Sequence, residues 1–153
     1  MTKVEHLESI AFSEDIFILN RHFSPTKKAA SLCTEKLKAI ILDKPSLSGS
    51  AEHASILAEE LGHFQTNTFS HINENYNHPL YRQNVKKAEA RAKDSAVLYA
   101  ASHEEIQSAL DHGIYEHWEI AEYCGVTVEL ITDAFSYYSR KNMPFQCKKD
   151  DFY

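Results

Sequence analysis

The sequence lacks the features of a membrane-spanning or exported protein. No apolar run in its 153 residues approaches the roughly 20 residues that cross a bilayer. Residues 1–8 are charged and lack the apolar core of a signal peptide. The three cysteines, Cys33, Cys124 and Cys147, are odd in number and widely spaced. They predict reduced thiols in a cytoplasmic protein, and their spacing excludes a Cys-x-x-Cys zinc site.

The sequence also lacks an excess of basic side chains. Lysine and arginine total 16 against 22 aspartates and glutamates, for a net charge of −6. Such an acidic chain argues against broad binding to nucleic acid or to anionic membranes. With 43% hydrophobic residues and only four glycines and four prolines, the chain can bury a compact core. We therefore predict one domain over residues 1–141, followed by a loosely held polar tail over 142–153.

The order of the predicted elements indicates an α+β fold. A short helix over residues 4–10 precedes three short apolar strand candidates at 16–19, 29–33 and 37–42. Helices are then predicted from Ser50, as N-cap, to about Gln65, over 80–100, from a Ser102–Glu105 capping box to near Gly113, and as a pair within 116–141. Residues 65–78 are predicted to form a loop. This pattern favours a small, mostly antiparallel three-stranded sheet packed on a helix bundle.

The stretch from Ala58 to His63 is similar to the HExxH helix of zinc peptidases, with a glutamate in place of the first histidine. In HExxH, two metal ligands lie one helical turn apart, and the glutamate beside the first is the general base. Here Glu59 and His63 hold the ligand positions and Glu60 the base position. The alternative is the solvated polar face of an amphipathic helix.

Two further residues of this predicted helix bear on that choice. Gly62 costs about 1 kcal/mol relative to alanine inside a helix, which predicts that another backbone comes very close to it. His53 lies about 15 Å along the helix axis from His63, too far away to share a metal. It is predicted to be a surface histidine.

A third ligand is expected on the next predicted helix. Catalytic zinc sites use three protein ligands and leave one position open. Glu89 falls within the apolar stripe of that helix, where an ionised carboxylate is costly unless it is paired or bound to a metal. Glu89 is therefore the candidate, and the alternative is a buried ion pair with Arg82, Arg91 or Lys93.

Three segments together resemble the ImmA/IrrE family of metallopeptidases, which are associated with phages and mobile elements. Residues 56–63 (ILAEELGH) resemble the family's motif, in its EELGH variant. Residues 87–92 and 118–135 are similar to the family's ligand helix and C-terminal helices. The resemblance covers about residues 30–140. It implies a zincin-like fold and a cytoplasmic peptidase that cleaves a helix-turn-helix repressor or other transcription regulator encoded nearby.

The same resemblance implies the roles of individual residues. Glu59, His63 and Glu89 correspond to the metal ligands, and Glu60 corresponds to the general base that takes a proton from water. Zn²⁺ is the implied cofactor. A further group that stabilises the tetrahedral intermediate is expected, and the candidates are Tyr81, Tyr99 and His78.

The departures from the family pattern leave two alternatives open. Glu59 makes the ligand set harder and more anionic, which shifts metal preference toward Mn²⁺ or Fe²⁺ and weakens the metal as a Lewis acid. Lys93 stands where many family members carry a small acid or amide. The chain is therefore either a peptidase or a catalytically inactive relative that binds a protein partner. DNA binding by the helix–glycine–helix pattern at 118–135 is disfavoured, because acids outnumber bases from His117 to Lys141.

Overall fold

The computed structural model describes residues 1–22, 25–68 and 79–147. Within them the chain forms six helices and three strands, which confirms the α+β prediction. None of these helices has the length and apolarity needed to cross a membrane. The elements are α1 (Lys3–Ser13), β1 (Ile16–Asn20), β2 (Ala29–Cys33), β3 (Lys38–Leu42), a short 3₁₀ turn (Lys44–Ser46), α2 (Ser50–Thr66), α3 (Pro79–Ala100), α4 (His103–Asp111), α5 (His117–Cys124) and α6 (Val128–Arg140).

The sheet is mixed, so the prediction of a mostly antiparallel sheet is wrong. Its strand order is β1-β3-β2. β3 pairs antiparallel with β2 and parallel with β1. The chain leaving β1 crosses to the far edge before it forms β2, and the β2–β3 hairpin then inserts β3 in the middle. Periodicity in the sequence carries no information about that crossing.

One face of the sheet packs against α2 and carries a serine toward it. Ile18 lies opposite Ile40, and Ile40 lies opposite Ser31, so these side chains share a face. Ile40 is fully buried in the same core cluster as Leu57 and Leu61 of α2. Each fully buried side chain of this size contributes about 1.5–3 kcal/mol of stability. This packing holds Ser31 of β2 beside the polar side of α2.

The backbones of the two longest described helices, α2 and α3, come very close together at Gly62. A Cβ built on Gly62 would collide with the carbonyl oxygen of Ala92 in α3 and lie 3.1 Å from its carbonyl carbon. The predicted close approach is therefore confirmed. Ala92 and Ala96, on the facing side of α3, are buried and small enough to permit this contact.

Helix ends follow the sequence signals, with one exception. The Ser102–Glu105 capping box is present at α4, and Gly125 ends α5 in the left-handed conformation with φ 72°. Ser50, however, is not the N-cap of α2. Gly49 occupies that position without a side-chain hydrogen bond, and Ser50 is the first helical residue. At the other end, Asn67 adopts a left-handed conformation with φ 52°, so α2 closes at Thr66. Most of the predicted loop at 65–78 lies outside the described residues.

The C-terminal segment packs against α4 over residues 142–147, which belong to the tail predicted to be loosely held. The rest of that tail, residues 148–153, lies outside the described residues. Phe145 stacks on His103 of α4 with ring centroids 4.4 Å apart, and Gln107 exchanges hydrogen bonds of 2.7 and 2.9 Å with the backbone of Gln146. His53 is half-buried rather than on the surface. Its Nε2 is enclosed without a hydrogen-bond partner among the described residues, and burial lowers its pKa.

The contact at Gly62 predicts that a methyl group added at this position lowers the free energy of unfolding. We expect Gly62→Ala to destabilise the protein by about 1–3 kcal/mol, as overpacking does, although alanine is the better helix former. The obstacle is backbone, which cannot rotate away. Urea unfolding measures the change. Gly49→Ala is the control, because no atom lies within 4 Å of the added Cβ, and its loss should stay below about 1 kcal/mol. Equal effects of the two substitutions would contradict the packing argument.

Candidate metal centre

The close approach of α2 to α3 brings three metal-ligating side chains together. Glu59 and His63 lie one turn apart on α2, and Glu89 lies one turn before Ala92 on α3. One ligand atom from each of the three residues lies within 4.8 Å of the others. Nε2 of His63 is 3.7 Å from Oε2 of Glu89. A Glu/His/Glu group with this arrangement could hold a metal ion.

The end of α2 orients the imidazole of His63. Because Asn67 turns the chain back, the amide of Thr68 donates to the carbonyl of His63 at 3.0 Å. The Thr68 carbonyl oxygen then lies 2.6 Å from Nδ1 of the same histidine. A carbonyl oxygen can only accept, so Nδ1 carries a proton. With Nδ1 as the donor, Nε2 is the nitrogen that faces Glu89 and can offer a lone pair to a cation, as in metal-bound histidines whose other nitrogen donates to a carbonyl.

The spacing fits a cation better than a direct contact. The 3.7 Å between His63 Nε2 and Glu89 Oε2 is too long for a hydrogen bond. Ligand atoms around a tetrahedral zinc ion, with bonds of about 2.0–2.2 Å, lie about 3.3–3.6 Å apart. The other distances among the three ligand atoms are at most 4.8 Å. The donor set of two carboxylates and one imidazole suits Zn²⁺, Mn²⁺ or Fe²⁺.

The electrostatic environment of Glu59 disfavours its ionised carboxylate. Burial raises the pKa of Glu59, the positive charge of Lys93 lowers it, and the nearby carboxylate of Glu89 raises it further. A divalent cation between the two carboxylates would remove that penalty by pairing with both. Lys93 thus acts on Glu59 across the helix interface, a role that its position in the sequence did not indicate.

Glu60 lies beside the three ligands and is held by the sheet. Ser31 Oγ of β2 donates to Glu60 Oε2 at 2.5 Å and lies 3.1 Å from the Glu60 carbonyl oxygen. Burial raises the pKa of Glu60, and the hydrogen bond from Ser31 partly opposes that rise. A carboxylate with a raised pKa binds a proton more readily near neutral pH, as a general base must.

The three candidate ligands and Glu60 line one pocket of about 330 Å³ between the sheet edge and the two helices. Lys27, Ala30 and Ser31 complete its lining. The pocket is partly enclosed, and Glu89 keeps 42% of its side chain exposed while His63 is 9% exposed. The prediction that Glu89 faces the core is therefore wrong in degree, because it lies at the margin of the α3 apolar stripe.

The residues suggested as stabilisers of an intermediate do not join this pocket in the described part of the chain. Tyr99 donates to Gln65 at 3.1 Å and lines a different pocket near the start of α1. Tyr81, near the start of α3, is not in the lining. His78 lies outside the described residues.

Sequence reasoning missed three residues that shape the site. Ser31 lies in a strand, and only the register of β2 against β3, together with the packing of the sheet on α2, brings it to Glu60. Thr68 contributes a backbone atom, so its side-chain type carries little signal. Lys27 precedes β2, and nothing in its neighbourhood in the sequence connects it with the motif helix.

Comparison of the chain with protein-family models, with curated proteins and with solved structures found no match.

Metal content is the direct measurement of this site. We expect the protein purified without chelator to carry about one equivalent of divalent metal per chain. Glu89→Ala and His63→Ala should each weaken binding more than about 100-fold, since even outer partners of metal ligands contribute about 10–100-fold. Glu122→Ala, at an exposed acid of α5, is the control and should retain the metal. Full occupancy in both ligand variants would place the metal elsewhere.

Proposed function

We propose that this chain is a metal-dependent peptidase of zincin-like fold, related to the ImmA/IrrE metallopeptidases. The observation that carries the proposal is the imidazole of His63. Its proton is committed to the Thr68 carbonyl, and its free nitrogen lies 3.7 Å from the Glu89 carboxylate. This arrangement stands beside a largely buried carboxylate, Glu60, in the partly enclosed pocket. Glu59 and His63 thus have the spacing of the two helix ligands in hydrolytic metal sites, and Glu60 has the position of the general base.

The ligand residues provide the first part of the mechanism. Glu59 and His63 from α2 and Glu89 from α3 would hold the cation and leave room on the pocket side for substrate. A divalent ion bound there supplies a Lewis acid that polarises a peptide carbonyl and makes water more acidic. The Thr68 carbonyl keeps the His63 ring in the orientation and tautomer that such binding requires.

Glu60 provides the proton transfers. Its carboxylate accepts a proton from the attacking water, and the resulting acid donates that proton to the leaving amine. Burial, which raises its pKa, favours the first step. The hydrogen bond from Ser31 fixes one oxygen of the carboxylate, which leaves the other oxygen to face the pocket. The free oxygen of Glu60 is thus the atom that would exchange the proton with water and with the leaving amine.

The proposed substrate is a helix-turn-helix repressor or other transcription regulator encoded nearby, as the family resemblance suggests. The net charge of −6 suits a basic DNA-binding protein as a partner better than DNA itself. The second helix of the α5–α6 pair carries the acidic residues Glu129 and Asp133. A helix that reads DNA would carry lysine or arginine there. We therefore assign this pair to packing or substrate docking in a cytoplasmic peptidase.

The base is tested by Glu60→Gln. We expect this variant to keep its metal, because Glu60 is not a ligand, and to lose at least about 100-fold in the rate of peptide cleavage. The assay is mass spectrometry of a peptide library and of candidate repressors, read together with metal content. Glu122→Gln serves as the control. Unchanged cleavage would refute the role of Glu60, whereas metal binding without any cleavage by the wild-type chain would identify an inactive, partner-binding relative.

The unusual ligand is tested by Glu59→His, which restores the HExxH pattern. Replacing one carboxylate by imidazole removes a negative charge and softens the ligand set, so we expect the preference for Zn²⁺ over Mn²⁺ to increase. A stronger Lewis acid should also raise the cleavage rate with Zn²⁺ bound. Competition binding with the two ions measures the preference. Unchanged selectivity would show that Glu59 is not a ligand.

A further inference from the structure

Two neighbouring pockets share one lysine. The pocket of about 330 Å³ that holds Glu60 and the candidate ligands is lined on one side by Lys27. A second pocket of about 260 Å³, formed by the segment before β2 and the turn after β3, is also lined by Lys27. Lys28 and Ser46 are among its other lining residues. Lys27 therefore stands at the boundary between the proposed reaction site and an adjoining recess.

The ammonium group of Lys27 is available, unlike the charges around it. Lys28, the next residue, pairs with Glu52 at 2.5 Å. Asp43, the acid of the second pocket, is buried and contacts Nδ1 of His22 at 2.6 Å. Lys27 itself is exposed, and the salt bridges of the described residues do not include it. The acids near this recess are thus occupied by other partners.

The charge of Lys27 reaches the reaction site. Lys27 lines the same pocket as Glu60 and the three candidate ligands. With three glutamates in the reaction pocket, a substrate carboxylate would be repelled there and attracted at the lysine. An extended peptide that crosses from the reaction pocket into the recess would therefore pass the glutamates first and then the ammonium group of Lys27.

We propose that the recess beside Lys27 is a specificity subsite that binds an acidic side chain of the peptide substrate. This proposal rests on the proposed peptidase function and adds the substrate class: a segment carrying aspartate or glutamate close to the scissile bond. Lys27 is the group that pairs with the carboxylate, and Ser46, on the wall of the recess, borders the place where it lies. Neither residue takes part in proton transfer.

The test compares capped alanine-rich hexapeptides that differ only by aspartate or asparagine at one position. Binding to the full-length ¹⁵N-labelled chain is followed by NMR, with and without Zn²⁺, in the Glu60→Gln background that prevents cleavage. We expect aspartate at one position to improve affinity about threefold, the size of an exposed charge pair. The gain should shrink at high salt, and the amides that shift should include those of Ser46 and Ala30.

Charge reversal provides the decisive variants. Lys27→Glu should reverse the preference, so that lysine-containing peptides bind best. Lys36→Glu, on an exposed lysine of the β2–β3 turn, should leave the preference unchanged. Equal binding of aspartate and asparagine peptides, no binding of either, or a preference that survives Lys27→Glu would overturn the subsite.

Cleavage of the same peptides by the wild-type chain separates the two proposals. Cleavage without a preference for acid would refute the subsite and leave the peptidase in place. An acid preference that depends on Lys27, without cleavage, would refute the peptidase and leave a carboxylate-binding recess.

Discussion

The contact between Gly62 and the backbone of Ala92 is the constraint on which the candidate site depends. Any side chain at position 62 would meet the Ala92 carbonyl, so the two helices can approach this closely only because position 62 has no Cβ. Glu89 lies one turn from Ala92 and His63 lies next to Gly62. The glycine weakens α2 as an isolated helix, but it allows the close packing that places the His63 imidazole 3.7 Å from the Glu89 carboxylate. The packing of α2 on α3 therefore also positions the candidate metal ligands.

Around that contact, backbone and sheet atoms complete the polar environment. The left-handed turn at Asn67 returns the Thr68 carbonyl to His63, and β2 presents Ser31 to Glu60. Neither partner is ionised, so each orients a side chain without adding charge to a pocket that already holds three glutamates. Burial raises the pKa of both Glu59 and Glu60. The folded chain thus maintains a concentration of negative charge that a divalent cation would relieve.

The helical part of this arrangement was largely predictable. The spacing of Glu59, Glu60 and His63 on one helix follows from the period of 3.6 residues, and Gly62 in mid-helix indicated a close neighbour. Glu89 could be identified as a candidate ligand because an ionised carboxylate in an otherwise apolar stripe is costly unless it is paired or bound to a metal. The parallel pairing of β1 with β3, the register that carries Ser31, and the docking of Phe145 on His103 could not be found, since each joins residues distant in the sequence.

By itself the sequence determined the α+β class, the helix that carries the motif, and the identity of three acids and one histidine as candidate site residues, because helix periodicity and residue chemistry are local properties. The tertiary structure alone decided that these side chains converge, which nitrogen of His63 is free, and that Ser31 and Lys27 share their pocket. These outcomes depend on how helices and strands from separate parts of the chain pack together, and long-range packing leaves no periodic signal in one sequence.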